Sequence, residues 1–86
     1  MATVRAFELP GLKMWFWSLD HEPPHVHAKR EGEWEVKVYF LLAPGDMFEL
    51  VWADKKPPGR VLKEISRLAE EHRMALLEEW EEIHGN

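Results

Sequence analysis

Residues 33–40 carry the clearest alternation of apolar and polar positions in the chain. The alternating residues are Glu33, Trp34, Glu35, Val36, Lys37, Val38, Tyr39 and Phe40. Successive side chains of a β-strand point to opposite faces of a sheet. The alternation therefore predicts an antiparallel strand with one face buried in the core and the other face polar.

Four further segments are predicted to be strands from their alternation or their aromatic content: residues 3–7, 12–17, 25–30 and 47–52. Residues that favour turns separate them: Pro10-Gly11, Pro23-Pro24, Glu31-Gly32 and the segment 43–46. In the last strand, alternation places Phe48, Leu50 and Trp52 on one face. The first 54 residues are therefore predicted to form a four- to five-stranded antiparallel sheet.

Beyond Gly59 the apolar positions change to the three- and four-residue spacing of an α-helix. Pro58 suits a first helical turn, and Gly85 suits a C-terminal cap. The pattern predicts one long helix within residues 57–84, about 40 Å in length at 1.5 Å per residue, with a bend near residues 71–74 as the alternative. Trp80 is in phase with the apolar side of this helix, so we predict that it is a core residue.

These elements predict an α+β fold in a single domain, residues 1–86, with the helix packed on one face of the sheet. The opposite face would carry Trp15, Trp17 and Tyr39. We take these residues as a candidate interaction surface, because so large an apolar area exposed to water indicates binding to another molecule. We expect a second subunit, in a two-fold dimer through the sheet face or an edge strand, a partner protein or a ligand to bury this area.

The composition excludes several classes of protein. The chain has no cysteine, so disulfides, thiol nucleophiles and cysteine zinc sites are excluded, and a reducing compartment is a good fit. No segment approaches the roughly 20 apolar residues of a membrane span, and the N-terminal segment does not resemble a signal peptide. We expect a soluble, cytoplasmic protein with no membrane partner.

The net charge of −5 disfavours a protein whose surface contacts many phosphates. The segment from Lys55 to Arg73 nevertheless holds six Lys and Arg residues against three Glu residues. This basic patch allows a nucleic-acid-binding regulator as one hypothesis. An ordinary solvated helix face is the simpler interpretation.

Three of the five histidines, His21, His25 and His27, lie within seven residues, beside Asp20 and Glu22. Histidine titrates near neutral pH and is the commonest metal ligand. These five residues are therefore the candidate catalytic residues. In an acid–base mechanism, one of the two carboxylates would orient an imidazole.

Three other interpretations of the histidines stay open: hydrogen bonds that lock the proline turn, binding of a partner or an anionic ligand, and metal coordination. On a strand, His25 and His27 would project together from the face opposite Val26 and Ala28. His21 and Glu31 are the further candidate ligands. We expect no cofactor and no tightly bound metal, because the stiff Pro23-Pro24 turn keeps His21 away from the pair.

Two stretches resemble a bacterial family of small single-domain proteins of unknown function. The first is Asp20 to Ala28, of the form Asp-x-x-Pro-Pro-His-x-His-Ala, which the aromatic strand Met14 to Trp17 precedes. The second is His72 to Trp80, of the form His-Arg-x-x-Leu-Leu-x-x-Trp. The resemblance implies no catalytic residue. It implies a gene that often neighbours the gene of another small protein, as in toxin–antitoxin or regulatory pairs.

Three hypotheses about function follow. The first is a non-enzymatic protein-interaction module, in a toxin–antitoxin-like or regulatory pair. The second is a small histidine- or metal-dependent hydrolase, such as a nuclease, that uses His21, His25 and His27. The third is a nucleic-acid-binding regulator that uses the basic patch. A pocket or a metal at the histidines would favour the second, and a flat aromatic surface would favour the first.

Overall fold

The alternating segment forms the fourth of five strands in an antiparallel sheet, in a computed structural model that describes residues 1–85. The strands are β1 (Ala2–Thr3), β2 (Lys13–Phe16), β3 (Val26–Arg30), β4 (Trp34–Val38) and β5 (Phe48–Ala53). They lie side by side in chain order, and a single 3-10 turn, Pro44–Asp46, precedes β5. The predicted α+β class and the antiparallel sheet are confirmed.

The register of the sheet separates a core face from a polar face. Ala28 of β3 lies opposite Met14 of β2 and Val36 of β4, whereas its neighbour His27 lies opposite Trp15 and Lys37. Cross-strand partners point to the same side of a sheet. One face is therefore apolar, and the other carries the histidine of β3.

The core face packs against the two helices, α1 (Gly59–Glu71) and α2 (Arg73–His84). Trp34 and Phe40 are fully buried at this face. From the helices, Ile65, Leu76 and Trp80 complete the same core. Trp80 is 4% exposed, so its prediction as a core residue is confirmed. α2 ends at His84 and is capped by Gly85, whose φ of 72° lies in the left-handed region, as its predicted capping role requires.

The helical segment divides at His72, so the prediction of one long helix is wrong, and the break lies within the alternative bend at residues 71–74. The backbone there has φ −105° and ψ 21°, although no Gly or Pro marks the position. Two tertiary contacts lie at the break. The His72 ring stacks on Phe7 with centroids 5.4 Å apart, and Arg73 Nε donates a hydrogen bond of 2.8 Å to the Phe40 carbonyl. Contacts of this kind, made with residues distant in sequence, are invisible to helical periodicity.

The first strand is shorter than predicted, because its next backbone groups bond to a helix. The backbone N–H groups of Arg5 and Ala6 each donate a 2.8 Å hydrogen bond to the Glu79 carboxylate. Glu79 is buried, with 6% exposure, and lies in α2 among exposed glutamates. It therefore ties the N-terminal segment to the helix layer.

In β5 the predicted common face of Phe48, Leu50 and Trp52 is also wrong. The register shifts between Glu35 and Val36, so that Leu50 lies opposite Val36 and Trp52 lies opposite Glu35. The extra residue, Val51, forms a β-bulge, and a bulge reverses the alternation beyond it. Trp52 consequently lies on the polar face of the sheet. Among residues 1–85, neither helix combines the length and the apolar character that crossing a bilayer requires.

Replacing Glu79 with Ala should lower the free energy of unfolding by about 1.5–3 kcal/mol, the range for hydrogen bonds to a charged group. The two backbone N–H groups of Arg5 and Ala6 would lose their acceptor. Urea denaturation measures the loss. The adjacent, exposed Glu78 is the matched control, and Glu78→Ala should change stability by less than about 0.5 kcal/mol. Equal effects of the two variants would contradict the assigned role of Glu79.

Candidate functional site

Asp20 joins the two histidines at the start of β3. Its Oδ2 atom lies 2.8 Å from His27 Nε2 and 3.1 Å from His25 Nε2. Both imidazoles are buried, with 3% exposure at His25 and 5% at His27. We call these three residues the Asp20 cluster. The predicted joint projection of the two histidines is confirmed, since their ring centroids lie 5.3 Å apart.

His27 is held between two carboxylates. Its Nε2 atom faces Asp20, and its Nδ1 atom lies 3.2 Å from Oε2 of Glu35, on the neighbouring strand β4. An ionised carboxylate only accepts hydrogen bonds. Both contacts are therefore satisfied when both ring nitrogens carry hydrogen, which places a cationic imidazole between two anions. The ring also stacks on Trp15, with centroids 5.3 Å apart.

His25 is held differently. Its Nδ1 atom lies 2.9 Å from the Pro23 carbonyl, which can only accept, so Nδ1 carries the hydrogen of the neutral ring. The Nε2 atom is then buried with an unshared electron pair. Although Asp20 Oδ2 is 3.1 Å away, the angles of that approach do not make a hydrogen bond, and Nε2 has no partner. The arrangement leaves two electron-rich atoms facing each other.

The other predicted site residues lie outside this cluster. His21 and Glu22 are exposed on the connection before β3. Glu31 pairs with Lys29 at 3.0 Å, and that hydrogen bond lowers the pKa of the Glu31 carboxyl. Within the described residues, the group of potential ligands close enough for one metal ion is the Asp20 cluster, whose ligand atoms lie within 4.8 Å of one another. Asp20, predicted as a candidate catalytic residue but not as a metal ligand, is thus the third member of the cluster, and the candidate ligands His21 and Glu31 are not part of it.

The candidate interaction surface is only partly open. Trp15 is 4% exposed because His27, Trp17 and Lys29 pack around its ring, so the expectation that it needs an outside cover is corrected. Trp17 is 42% exposed, and Tyr39 is half-buried beside His25, with ring centroids 5.1 Å apart. The open aromatic area is therefore smaller than the sequence suggested.

Sequence reasoning missed two polar partners on the strands beside the histidines. Glu35 was assigned to the polar side of β4, but its pairing with His27 depends on the register between β3 and β4. Glu49 of β5 accepts a 2.6 Å hydrogen bond from the Tyr39 hydroxyl. This hydrogen bond, with partial burial, raises the pKa of Tyr39 to about 12.

The basic patch is partly neutralised by its own helix. Arg67 pairs with Glu64 at 2.6 Å and with Glu71 at 3.4 Å. The pKa of Glu64 is accordingly lowered by its hydrogen bond with Arg67. Arg73 donates a hydrogen bond to the Phe40 carbonyl. Two of the six cations that suggested a nucleic-acid surface are thus already paired.

The Tyr39 phenol should remain protonated well above pH 10 and titrate near pH 12, because ionisation would place its negative charge against Glu49. Tyr39 is the only tyrosine, and the five tryptophans do not titrate, so the pH-dependent rise in near-ultraviolet absorbance on phenolate formation follows this one group. Glu49→Gln should lower the midpoint of the Tyr39 titration. Glu31→Gln, a change of the same kind in the turn between β3 and β4, should leave it unchanged. Stability contributed by this bond is present below pH 10 and is lost as the pH rises through 12. A wild-type midpoint near 10 in the folded protein would contradict the assignment.

The Asp20 cluster and the strands around it lie in the part of the chain that matches a protein-family model. A family model for a domain of unknown function, DUF4160, matches residues 11–81. The match includes the whole Asp20 cluster and extends from the turn before β2 into α2. No curated protein and no solved structure matches the chain. The chain therefore belongs to the DUF4160 family of domains of unknown function.

Proposed function

We propose that this protein is a non-enzymatic interaction module that pairs with a second copy of itself through β5. The observation that carries the proposal is the position of β5 at the edge of the sheet, with Leu50, Val51 and Trp52 exposed by 56%, 45% and 39%. The cytoplasmic location expected from the sequence is part of the same proposal.

The partner of an edge strand must be another extended backbone. An edge presents a row of unpaired N–H and C=O groups, and these are best satisfied by a strand of another chain. β5 is six residues long, whereas the opposite edge of the sheet is formed by the two residues of β1. The bulge turns Trp52 and Leu50 to opposite faces, so an added strand would cover apolar side chains on both sides of the sheet.

The charges beside β5 favour a second copy in antiparallel orientation. Residues 46–49 contain Asp46 and Glu49, a charge of −2, while residues 54–56 contain one Asp and two Lys, a charge of +1. An antiparallel pair about a two-fold axis brings the acidic start of each strand beside the basic end of the other. A parallel pair would place like charges together, which is unfavourable.

Sedimentation of the purified protein should show a dimer at concentrations of tens of micromolar. Leu50→Lys should give a monomer, because it puts a charge into the proposed apolar contact while leaving the core untouched. The matched control is Leu19→Lys, a change at an 87% exposed leucine on the β2–β3 connection. A monomeric wild type, or equal dissociation by both variants, would overturn the second copy as the partner.

Ala53→Pro tests the backbone contribution separately. Ala53 pairs with Trp34, and the next residue, Asp54, donates its backbone N–H to the Glu33 carbonyl, so the Ala53 N–H group points away from β4 and proline removes this donor from the open edge. It should also weaken the dimer.

If the wild type is monomeric alone but forms a stable complex when produced with a neighbour-encoded small protein, the occupant of β5 is that protein. The toxin–antitoxin-like or regulatory pair that the resemblance implies would then replace the homodimer.

A second candidate function, hydrolysis that depends on histidine or metal, has one favourable observation. Asp20 contacts both His25 and His27, and a carboxylate in this position can orient an imidazole for proton transfer to or from a substrate. Hydrolysis of an activated phosphodiester, measured with and without zinc, tests this function. Activity that His27→Ala abolishes and His21→Ala preserves would support it. Equal background rates for wild type and both variants would reject it.

A further inference from the structure

We propose that Asp20, His25 and His27 form a binding site for one divalent transition-metal ion, of which zinc is the test case. The ligand set is one carboxylate oxygen and two imidazole nitrogens, a combination that suits Zn²⁺ and other first-row metals. The inference is independent of how β5 is paired. It differs from the sequence expectation because the third ligand is Asp20, which needs no movement of the proline turn.

The unpartnered nitrogen of His25 is the first reason. Its Nε2 atom is buried, lacks a hydrogen-bond partner and faces Asp20 Oδ2 at 3.1 Å. A buried nitrogen without a partner is unfavourable, and an anionic oxygen beside its electron pair adds repulsion. A cation between the two atoms removes both costs.

The outer hydrogen bonds of the two histidines are the second reason. A metal-bound histidine usually donates its other N–H group to a carboxylate or a backbone carbonyl, which fixes the ring and its tautomer. His25 Nδ1 has the Pro23 carbonyl at 2.9 Å, and His27 Nδ1 has Glu35 at 3.2 Å. With their Nδ1 atoms held in this way, both rings have Nε2 close to the same Asp20 oxygen, at 3.1 Å for His25 and 2.8 Å for His27.

The distances are close to those of a chelate. Bonds of about 2.0–2.2 Å from zinc to nitrogen and oxygen put tetrahedral ligand atoms roughly 3.3 Å apart. The observed separations of 2.8 and 3.1 Å need only a small opening, and all three ligand atoms lie within 4.8 Å of one another. The Asp20 side chain is 19% exposed, so water can reach the site. Three protein ligands leave a fourth position for that water.

Binding would replace the hydrogen that His27 Nε2 shares with Asp20. That hydrogen leaves the cationic ring as a proton to solvent, and the neutral ring that remains, with its hydrogen on Nδ1, gives its Nε2 electron pair to the metal. No other bond changes. The ion would link residue 20, on the connection before β3, to the strand itself, so it should also stabilise the fold.

The test is a zinc titration by calorimetry with the full chain, prepared with chelator and without a histidine tag. We expect one zinc per chain with micromolar or tighter affinity, and a rise in the thermal unfolding temperature with zinc. Asp20→Asn and His25→Ala should each weaken binding by at least tenfold. Glu35→Gln should weaken it by about 10- to 100-fold, the usual effect of an outer partner.

His21→Ala is the matched control, because His21 belongs to the same segment but lies exposed outside the cluster. It should leave the affinity unchanged. Asp20→Asn keeps the size of the side chain and covers the case in which a histidine variant does not fold. The proposal is overturned if wild type binds no zinc at micromolar concentrations, or if His21→Ala weakens binding as much as His25→Ala.

Discussion

The alternation of β4 is the constraint on which both the core and the candidate site depend. Trp34, Val36 and Val38 point to the helices and are almost completely buried. The intervening Glu35 must then point away from the core, toward β3, where it meets His27 at 3.2 Å. A slip of one residue in the register would bury the glutamate and expose the tryptophan. The hydrophobic core therefore fixes the position of the carboxylate that orients the histidine.

The two sides of the sheet are stabilised by different physical effects. On the helix side, burial of large apolar side chains dominates. On the other side, the Trp15 and His27 rings stack with an interplanar angle of 16°, and carboxylates contact both nitrogens of the imidazole. This second layer explains how a half-covered sheet in a small chain keeps Trp15 away from water. It also explains why the sequence overestimated the exposed aromatic area.

The fold could be predicted wherever one face of an element carried a periodic pattern. The alternation at residues 33–40 and the helical spacing around Trp80 were sufficient for the sheet, the core and the α+β class. The break at His72 was foreseen only as an alternative, a bend near residues 71–74, and the bulge at Val51 was not foreseen, because both depend on partners far away in sequence. Phe7 stacks at the break, and the β4 register determines the bulge.

For the site, the residue types indicated where the cluster lies, but the sequence did not show which side chains contact one another. The cluster of histidines was evident, and His25 and His27 do lie together. His21 lies exposed outside the cluster, in line with the expected stiffness of the proline turn, but spacing along that turn does not say which other side chain points inward. Asp20, one residue earlier, contacts both rings. Glu35 was hidden for a similar reason, since a polar residue on a polar face gives no sign of its cross-strand neighbour.

Glu35 also connects the candidate site to the proposed interface. On one side it contacts His27, and on the other it lies opposite Trp52 of β5, on the same face of the sheet. A strand added at β5 that covers Trp52 therefore approaches the side of the sheet on which the Asp20 cluster lies. Self-association and metal binding remain separable by mutation, because Leu50 lies on β5 and Asp20 on the connection before β3. The two are nevertheless linked through β4, because the Glu35 carboxylate contacts His27 and Glu35 lies opposite Trp52. A change at Trp52 can therefore shift the carboxylate that holds His27.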